Sequence, residues 1–385
     1  MFILLLLGFV VIGIVNTFLG PLIPALSARW SLGYSEAGYL FTMQFAGSTT
    51  GAALSGALMK RAGIVRLIIF GLILMAVCVV GIGLGGRVMG TVAVFCSGVA
   101  LGITIPTINL SVAEMYARRR AEALNILNLA WGVGAVASPL LIAQFADESN
   151  ITFPLITISI LLIAVSVLTA FFRPLNLDLR QSNTEPVAQP QSRALLNPYV
   201  WLGALLIFLY VGVETSTGGW LASYAKSLNI STGSFWAMVQ SLFWAGLLVG
   251  RMAAPVFLRY LSATSLVLIG MIMAAIGIMI ILTGTNLTAI SIGAIVAGLG
   301  MAPVFPTTIA LITERLGARA SQVTGYMFVA AGLGGAIIPW LVGFVSTRYG
   351  NLRAGLSAAL VGAISLVILQ AIIIIRMRRA KKLQS

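Results

Sequence analysis

Long apolar stretches, each about the 20 residues needed to cross a bilayer, follow one another along the chain and are separated by short polar joints. They lie near residues 1–26, 34–59, 64–85, 88–114, 121–146, 152–172, 198–226, 233–258, 264–283, 286–314, 321–347 and 353–376. The pattern predicts an all-α membrane protein with twelve transmembrane helices, spans 1 to 12. The longest joint, 173–197, carries Pro174, Pro186 and Pro190 among Gln, Ser and Asn, the composition of a polar linker. The expected organisation is a six-helix half over 1–172, a linker over 173–197, a second six-helix half over 198–376 and a basic tail over 377–385. The apolar start lacks a basic segment and runs straight into a full-length span, so it reads as span 1 and not as a secretion signal.

Composition narrows the chemistry. Of the residues, 59% are hydrophobic and 8% charged, against roughly 45–50% and about 25% in soluble domains. There is no His, only 9 acids, and 23 Lys or Arg for a net charge of +14. Histidine acid/base chemistry and His-bearing metal sites have nothing to draw on, and no Walker A motif offers direct ATP drive. With loops too short for a catalytic domain, an enzyme is not expected, nor is a cofactor. The basic residues record topology instead. Arg29, Arg87, Lys226, Arg348 and Arg353 fall in one set of alternate joints and the other eighteen in the opposite set. By the positive-inside rule the termini and linker face the cytoplasm, and the protein is a multi-pass inner-membrane protein. A nucleic-acid partner is not expected, because the basic positions are islands between apolar runs. Cys78 and Cys96 fall inside spans and imply no disulfide.

The two halves repeat. At an offset of 200, Pro106, Thr107, Glu114, Arg119, Gly132, Gly134 and Pro139 pair with Pro306, Thr307, Glu314, Arg319, Gly332, Gly334 and Pro339; at 199, Gly20, Gly47, Gly51 and Gly71 pair with Gly219, Gly246, Gly250 and Gly270. A six-plus-six parallel repeat resembles the layout of the major facilitator superfamily, whose substrate site lies at the midplane between the halves. Small-xxx-small pairs such as Gly47/Gly51, Gly98/Gly102 and Gly246/Gly250 suit close helix packing. Intramembrane prolines suit bends, including Pro303 and Pro306.

Intramembrane carboxylates are functional candidates because hydrocarbon penalises their charge. Glu36, Asp147, Glu148, Asp178 and Glu185 read as loop residues, and Glu122 favours a helix N-terminus. Glu114 and Glu314 lie at helix ends beside Arg118 and Arg319; with Arg61 and Arg251 they form a candidate gating set. Glu214 alone lies well inside a span, in FLYVGVETSTGGWLASYA. It is the candidate ion-coupling residue, by carrying a proton or by holding Na+ with Thr215 and Ser216; the packing alternative is a structural Glu bonded to a neighbouring helix. Asn16, Thr17, Gln44, Asn109, Asn125, Asn128, Trp131, Trp220, Tyr224, Gln240 and Trp244, together with Glu214, form the candidate substrate-binding set. Amides beside aromatic plates suit a neutral polyhydroxylated ligand such as a sugar. The alternatives are interhelical hydrogen bonds for the amides and an interfacial belt for the aromatics.

The segments MQFAG, ALNILNLAWGVGAVASPLL, FLYVGVETSTGGW, LFWAGLLVGR and GLGMAPVFPTTIAL resemble the fucose:proton symporter family, and within it the bacterial glucose/mannose:proton symporters and sodium-dependent glucose transporters. The resemblance implies uptake of a monosaccharide by alternating access, with Glu214 in a central cavity. Two departures stand out. The superfamily signature between spans 2 and 3 reads GALMKRAGIVR, with Lys60 in place of an Asp. The acids that the family carries in spans 1 and 4 give way to Thr17 and Ile105 or its neighbours, so coupling falls to Glu214 or is absent. The expected function is a secondary transporter of a hexose such as glucose or mannose, H+- or Na+-coupled, acting as a monomer in the lipid bilayer. An uncoupled sugar facilitator, an exporter of drug-like or lipid amphiphiles and a non-transporting receptor are the alternatives.

Overall fold

The computed structural model describes residues 1–145, 150–171, 198–229, 233, 235–316 and 320–382, without the side chains of 198, 199, 315, 316, 320–324 and 377–382. Among the described residues every regular element is a helix. Ten helices are long and apolar enough to cross a membrane, or eleven if a pair bent by 44° is one span. That pair is α1 (Phe2–Thr17) and α2 (Leu19–Trp30), the two parts of span 1. The remaining span is α3 (Tyr34–Ala62), whose apolar run is diluted by Gln44, Ser48, Thr49 and Thr50 and bounded by Glu36, Lys60 and Arg61. All twelve expected spans are therefore present.

Spans 3 to 6 are α4 (Ile64–Leu84), α5 (Arg87–Met115), α6 (Arg120–Phe145) and α7 (Thr152–Phe171). Spans 7 to 9 are α8 (Pro198–Ser227), α9 (Phe235–Phe257) and α10 (Ala263–Thr283). Span 10 is split into α11 (Leu287–Met301) and α12 (Val304–Leu316); α13 (Ala320–Tyr349) and α14 (Leu352–Lys382) complete the set. Helix starts are cut by local chemistry. Asn286 Oδ1 accepts the Ala289 N–H at 2.8 Å, and Asn351 Oδ1 that of Ala354 at 2.8 Å, each satisfying a donor that the first turn leaves free. Gly63, at φ +81°, makes the left-handed joint between α3 and α4 that a side chain would strain. Glu36 is not a loop residue: it sits in the first turn of α3 and accepts the Gly33 N–H at 2.9 Å.

Two units pack separately, one of Met1–Leu32 with Leu40–Gln189, the other of Gly33–Tyr39 with Pro190–Ser385. The linker 173–197 lies outside the described residues, as do Asp147, Glu148, Asp178 and Glu185. The repeat seen in the sequence is a repeat of contacts. In the first unit α1 packs on α6, α4 on α5 and α4 on α7; in the second, α8 packs on α13, α10 on α11 and α10 on α14. The paired glycines sit at equivalent crossings. A Cβ on Gly134 would fall on the Val10 carbonyl oxygen, and one on Gly334 on that of Phe208; Gly98 and Gly298 approach the carbonyls of Gln44 and Phe243 in the same way. Each allows a backbone-to-backbone approach that only glycine permits.

Outward faces carry large apolar residues such as Val77, Val88, Ile160 and Phe171, exposed by 63%, 80%, 60% and 80%. So much exposed hydrocarbon on so many helices is a surface made for lipid. Cys78 is buried, Cys96 half-buried, and both are free thiols.

Two spans are broken. Pro21 and Pro24 lack the N–H that would bond the carbonyls of Thr17 and Gly20, and α1 bends into α2 at Phe18. Pro303 and Pro306 do the same to span 10, so a continuous 286–314 helix gives way to a break over Ala302 and Pro303. Broken spans leave backbone carbonyls for other groups to satisfy.

Candidate functional site

In the second unit the break in span 10 and the acid of span 7 are joined by one side chain. Tyr210 precedes Glu214 by one helical turn on α8, so both project from the same face. The Tyr210 hydroxyl is hydrogen-bonded to Glu214 Oε2 and donates toward the Met301 carbonyl oxygen at 3.0 Å. Met301 is the last residue of α11, where helix geometry leaves carbonyls unpaired. From α9, Arg251 interacts electrostatically with the Glu214 carboxyl and reaches the Tyr210 hydroxyl as a hydrogen-bond partner. Tyr210 is 2% exposed, while Glu214 and Arg251 are half-buried. The sequence placed Arg251 in a gating set; the structure brings it to Glu214. Tyr210 was missed, although its spacing of four from Glu214 is the signal that reveals it.

The other candidates of this unit divide. Trp220 and Tyr224 are buried, at 0% and 1% exposure, and form no interfacial belt. Trp220 Nε1 donates to the Pro339 carbonyl at 2.9 Å, and Tyr224 Oη accepts from Arg353 Nε at 3.3 Å. Both therefore tie α8 to α13 and α14. Gln240 is fully buried on α9, and among the described residues neither its amide nitrogen nor its oxygen has a hydrogen-bond partner; the Ser216, Thr217 and Ser241 hydroxyls are in the same condition. Thr215 Oγ1 donates to its own helix, to the Val211 carbonyl at 2.6 Å. Trp244 is buried edge-on against Phe243.

The role of Trp220 is testable by stability. Trp220→Phe keeps a ring but removes the Nε1 donor to the Pro339 carbonyl, and should lower stability by about 1 kcal/mol without changing apparent substrate affinity. A lowered affinity at unchanged melting temperature would place Trp220 against substrate instead.

In the first unit, Gln44 is buried and its Nε2 donates to the Val15 carbonyl of α1 at 3.4 Å; Thr17 is buried with its hydroxyl on Gly13 O at 3.0 Å. Asn109 is half-buried and bonds Ile105 O at 2.9 Å; Asn128 bonds Leu124 O at 2.9 Å. Asn16 and Trp131 are half-buried, whereas Asn125 and Asn128 are exposed side by side along α6. An exposed amide pair on a transmembrane helix is built for a water-filled or ligand-filled space, since lipid offers it no partner. Arg61 and Arg118 are exposed and Glu114 half-buried at the helix ends. Glu314 is exposed at the end of α12, but Arg319 lies outside the described residues.

No cluster of His, Cys, Asp or Glu suited to a metal occurs among the described residues. The site offers a carboxyl that can be ionised or neutral, a fixed cation, a hydroxyl that can both donate and accept, and amides.

The chain shares 23% identity over 345 residues with the glucose/mannose transporter GlcP of Bacillus subtilis, covering 87% of this chain and 85% of that protein. It shares 27% over 353 residues with a glucose/galactose transporter of Brucella abortus, covering 86% and 83%. Among solved structures it is similar to the transporter FucP in its outward conformation, with a TM-score of 0.65 at 18% identity over 96% of this chain and 98% of that one. Residues 5–339 match the Major Facilitator Superfamily. The twelve spans, the two packed repeats and this match make the protein a multi-pass membrane transporter, not an enzyme, and a member of the Major Facilitator Superfamily.

Proposed function

We propose that the protein is a proton-coupled transporter of a neutral hexose, with Glu214 carrying the coupled proton. The observation that carries the coupling is the pairing of Glu214 with Tyr210 and Arg251. A fixed guanidinium beside the carboxyl opposes the binding of Na+ there, because Na+ would have to share the site with an unshielded positive charge. A proton, unlike Na+, needs no shell of oxygen ligands: it turns the acid into a neutral hydrogen-bond donor, and the guanidinium then turns to other acceptors. The hexose reading is supported by the substrates in the names of the Bacillus and Brucella relatives and by the exposed Asn125 and Asn128 pair, whose donors and acceptors match hydroxyl groups. The placement of eighteen of 23 basic residues in one set of joints supports an inner-membrane protein with both termini in the cytoplasm.

Counterflow in proteoliposomes tests the substrate. Vesicles loaded with unlabelled glucose, mannose or galactose should take up the labelled sugar transiently, and Asn125→Ala with Asn128→Ala should weaken apparent affinity by about tenfold, as the loss of hydrogen bonds worth about 1.4 kcal/mol would. Absence of counterflow with every hexose, together with competition by amphiphiles, would overturn the sugar reading in favour of an exporter.

A further inference from the structure

A hydroxyl has one proton, and Tyr210 faces two acceptors. Its oxygen is hydrogen-bonded to Glu214 Oε2 and lies 3.0 Å from the Met301 carbonyl oxygen. When Glu214 is ionised, its carboxylate accepts only, and the stronger charge-assisted bond claims the Tyr210 proton. The Met301 carbonyl is then left without it. When Glu214 is protonated, it donates to the Tyr210 oxygen, and the Tyr210 proton is free to turn to Met301. The second lone pair of the phenol accommodates Arg251 in either case. No proton passes along this chain: one arrives at Glu214 from water and returns to water, and only the direction of donation by Tyr210 changes.

We infer that Tyr210 is a positioning residue that reports the protonation of Glu214 to the break in span 10, tethering the end of α11 when the acid is neutral and releasing it when the acid is charged. This rests on Glu214 being the coupling acid. The surroundings make the switch consequential. Tyr210 and Met301 share the lining of a small cavity with Val213, Met271, Ala274, Val304, Ala363 and Leu366, none of whose side chains is a donor, so a released carbonyl has an apolar setting around it. Pro303 and Pro306 remove the N–H groups that would stiffen the segment, and the break is thus a point at which α12 can pivot. Among the described residues the groups acting on the carboxyl are Tyr210 from α8 and Arg251 from α9. The remaining titratable groups among the described residues on the helices packed against α8 are Glu314 in α12, Tyr326, Arg348 and Tyr349 in α13, and Arg353 and Arg376 in α14.

Hydrogen–deuterium exchange of the full chain in lipid nanodiscs tests the tether at the amides of Met301, Ala302, Val304, Phe305, Thr307 and Thr308. Glu214→Gln should imitate the protonated acid. Arg251 donates only, so it holds the Gln oxygen and turns the amide nitrogen to Tyr210. Exchange in this variant should be about fivefold slower than in Tyr210→Phe, the ratio one ordinary hydrogen bond supports. The double variant should match Tyr210→Phe alone, because without the hydroxyl the state of residue 214 no longer reaches the break. Wild type should move from the Glu214→Gln value in acid to the Tyr210→Phe value in alkali after correction for intrinsic rates. Equal exchange in all four proteins, at whatever rate, or a slowing by Glu214→Gln that persists in the Tyr210→Phe background, would overturn the inference. If Tyr210→Phe does not fold, the comparison of wild type across pH with Glu214→Gln decides alone: a pH-dependent wild type beside a pH-independent variant supports the tether, and the same pH response in both overturns it. No sugar is needed for these readings, so they stand apart from failure of the hexose assignment.

Discussion

Vesicles carrying Glu214→Gln should fail to concentrate hexose under an imposed proton gradient, yet should still exchange labelled for unlabelled sugar. A gradient of one pH unit is worth about 1.4 kcal/mol per coupled proton, a tenfold accumulation. With the only acid placed deep in a span among the described residues replaced, the internal-to-external ratio should fall from about ten to one. Exchange survives because it needs the loaded carrier to reorient, and the Gln amide keeps the hydrogen bond to Tyr210 that the neutral carboxyl makes. Arg251 is the complementary probe. Arg251→Met removes the cation beside the carboxyl, the partner that receives the ionised acid after the proton leaves, and net transport should fall more than exchange does. Equal loss of accumulation and exchange in Glu214→Gln would mean that Glu214 holds substrate or structure and carries no proton.

The largest loss of stability should come from glycines far from any chemistry. Gly134→Ala puts a methyl group onto the Val10 carbonyl of α1, and Gly334→Ala does the same against Phe208 of α8. Backbone cannot move aside as a side-chain tip can, so each change should cost about 3 kcal/mol, the upper end for overpacking. In a unit of this size that corresponds to a melting temperature lower by about 6–12 °C. Gly56→Ala is the control, because nothing lies within 4 Å of the added carbon; it should leave melting unchanged. Equal behaviour of Gly134→Ala and Gly56→Ala in thermal unfolding would contradict the close α1–α6 crossing.

These two predictions differ in how far their grounds could be read from sequence. The spans and the repeat are legible because membrane solvent imposes length and apolarity on every crossing helix, and because Gly134 and Gly334 recur at a fixed offset. Glu214 is legible for the same reason, as an acid where acids are costly. Its partners are only half so. Tyr210 lies within one turn and could have been found by spacing, whereas Met301 is 91 residues away and becomes an acceptor only because two prolines open span 10. The aromatics mislead in the opposite direction. Trp220 and Tyr224 share a helical face, but spacing along one helix does not say that α13 and α14 cover that face and claim their polar atoms. Gln44 likewise looks like a ligand-binding amide until α1 supplies the Val15 carbonyl beside it.

The central claim, that hexose and a proton move together through Glu214, is tested most directly by following protons while sugar moves. Hexose added to lightly buffered proteoliposomes with no imposed gradient should raise the external pH as sugar enters, in wild type and without sodium, and the signal should vanish in Glu214→Gln while counterflow persists. Hexose entry without a proton signal, a signal that requires sodium, or an undiminished signal in Glu214→Gln would contradict the account.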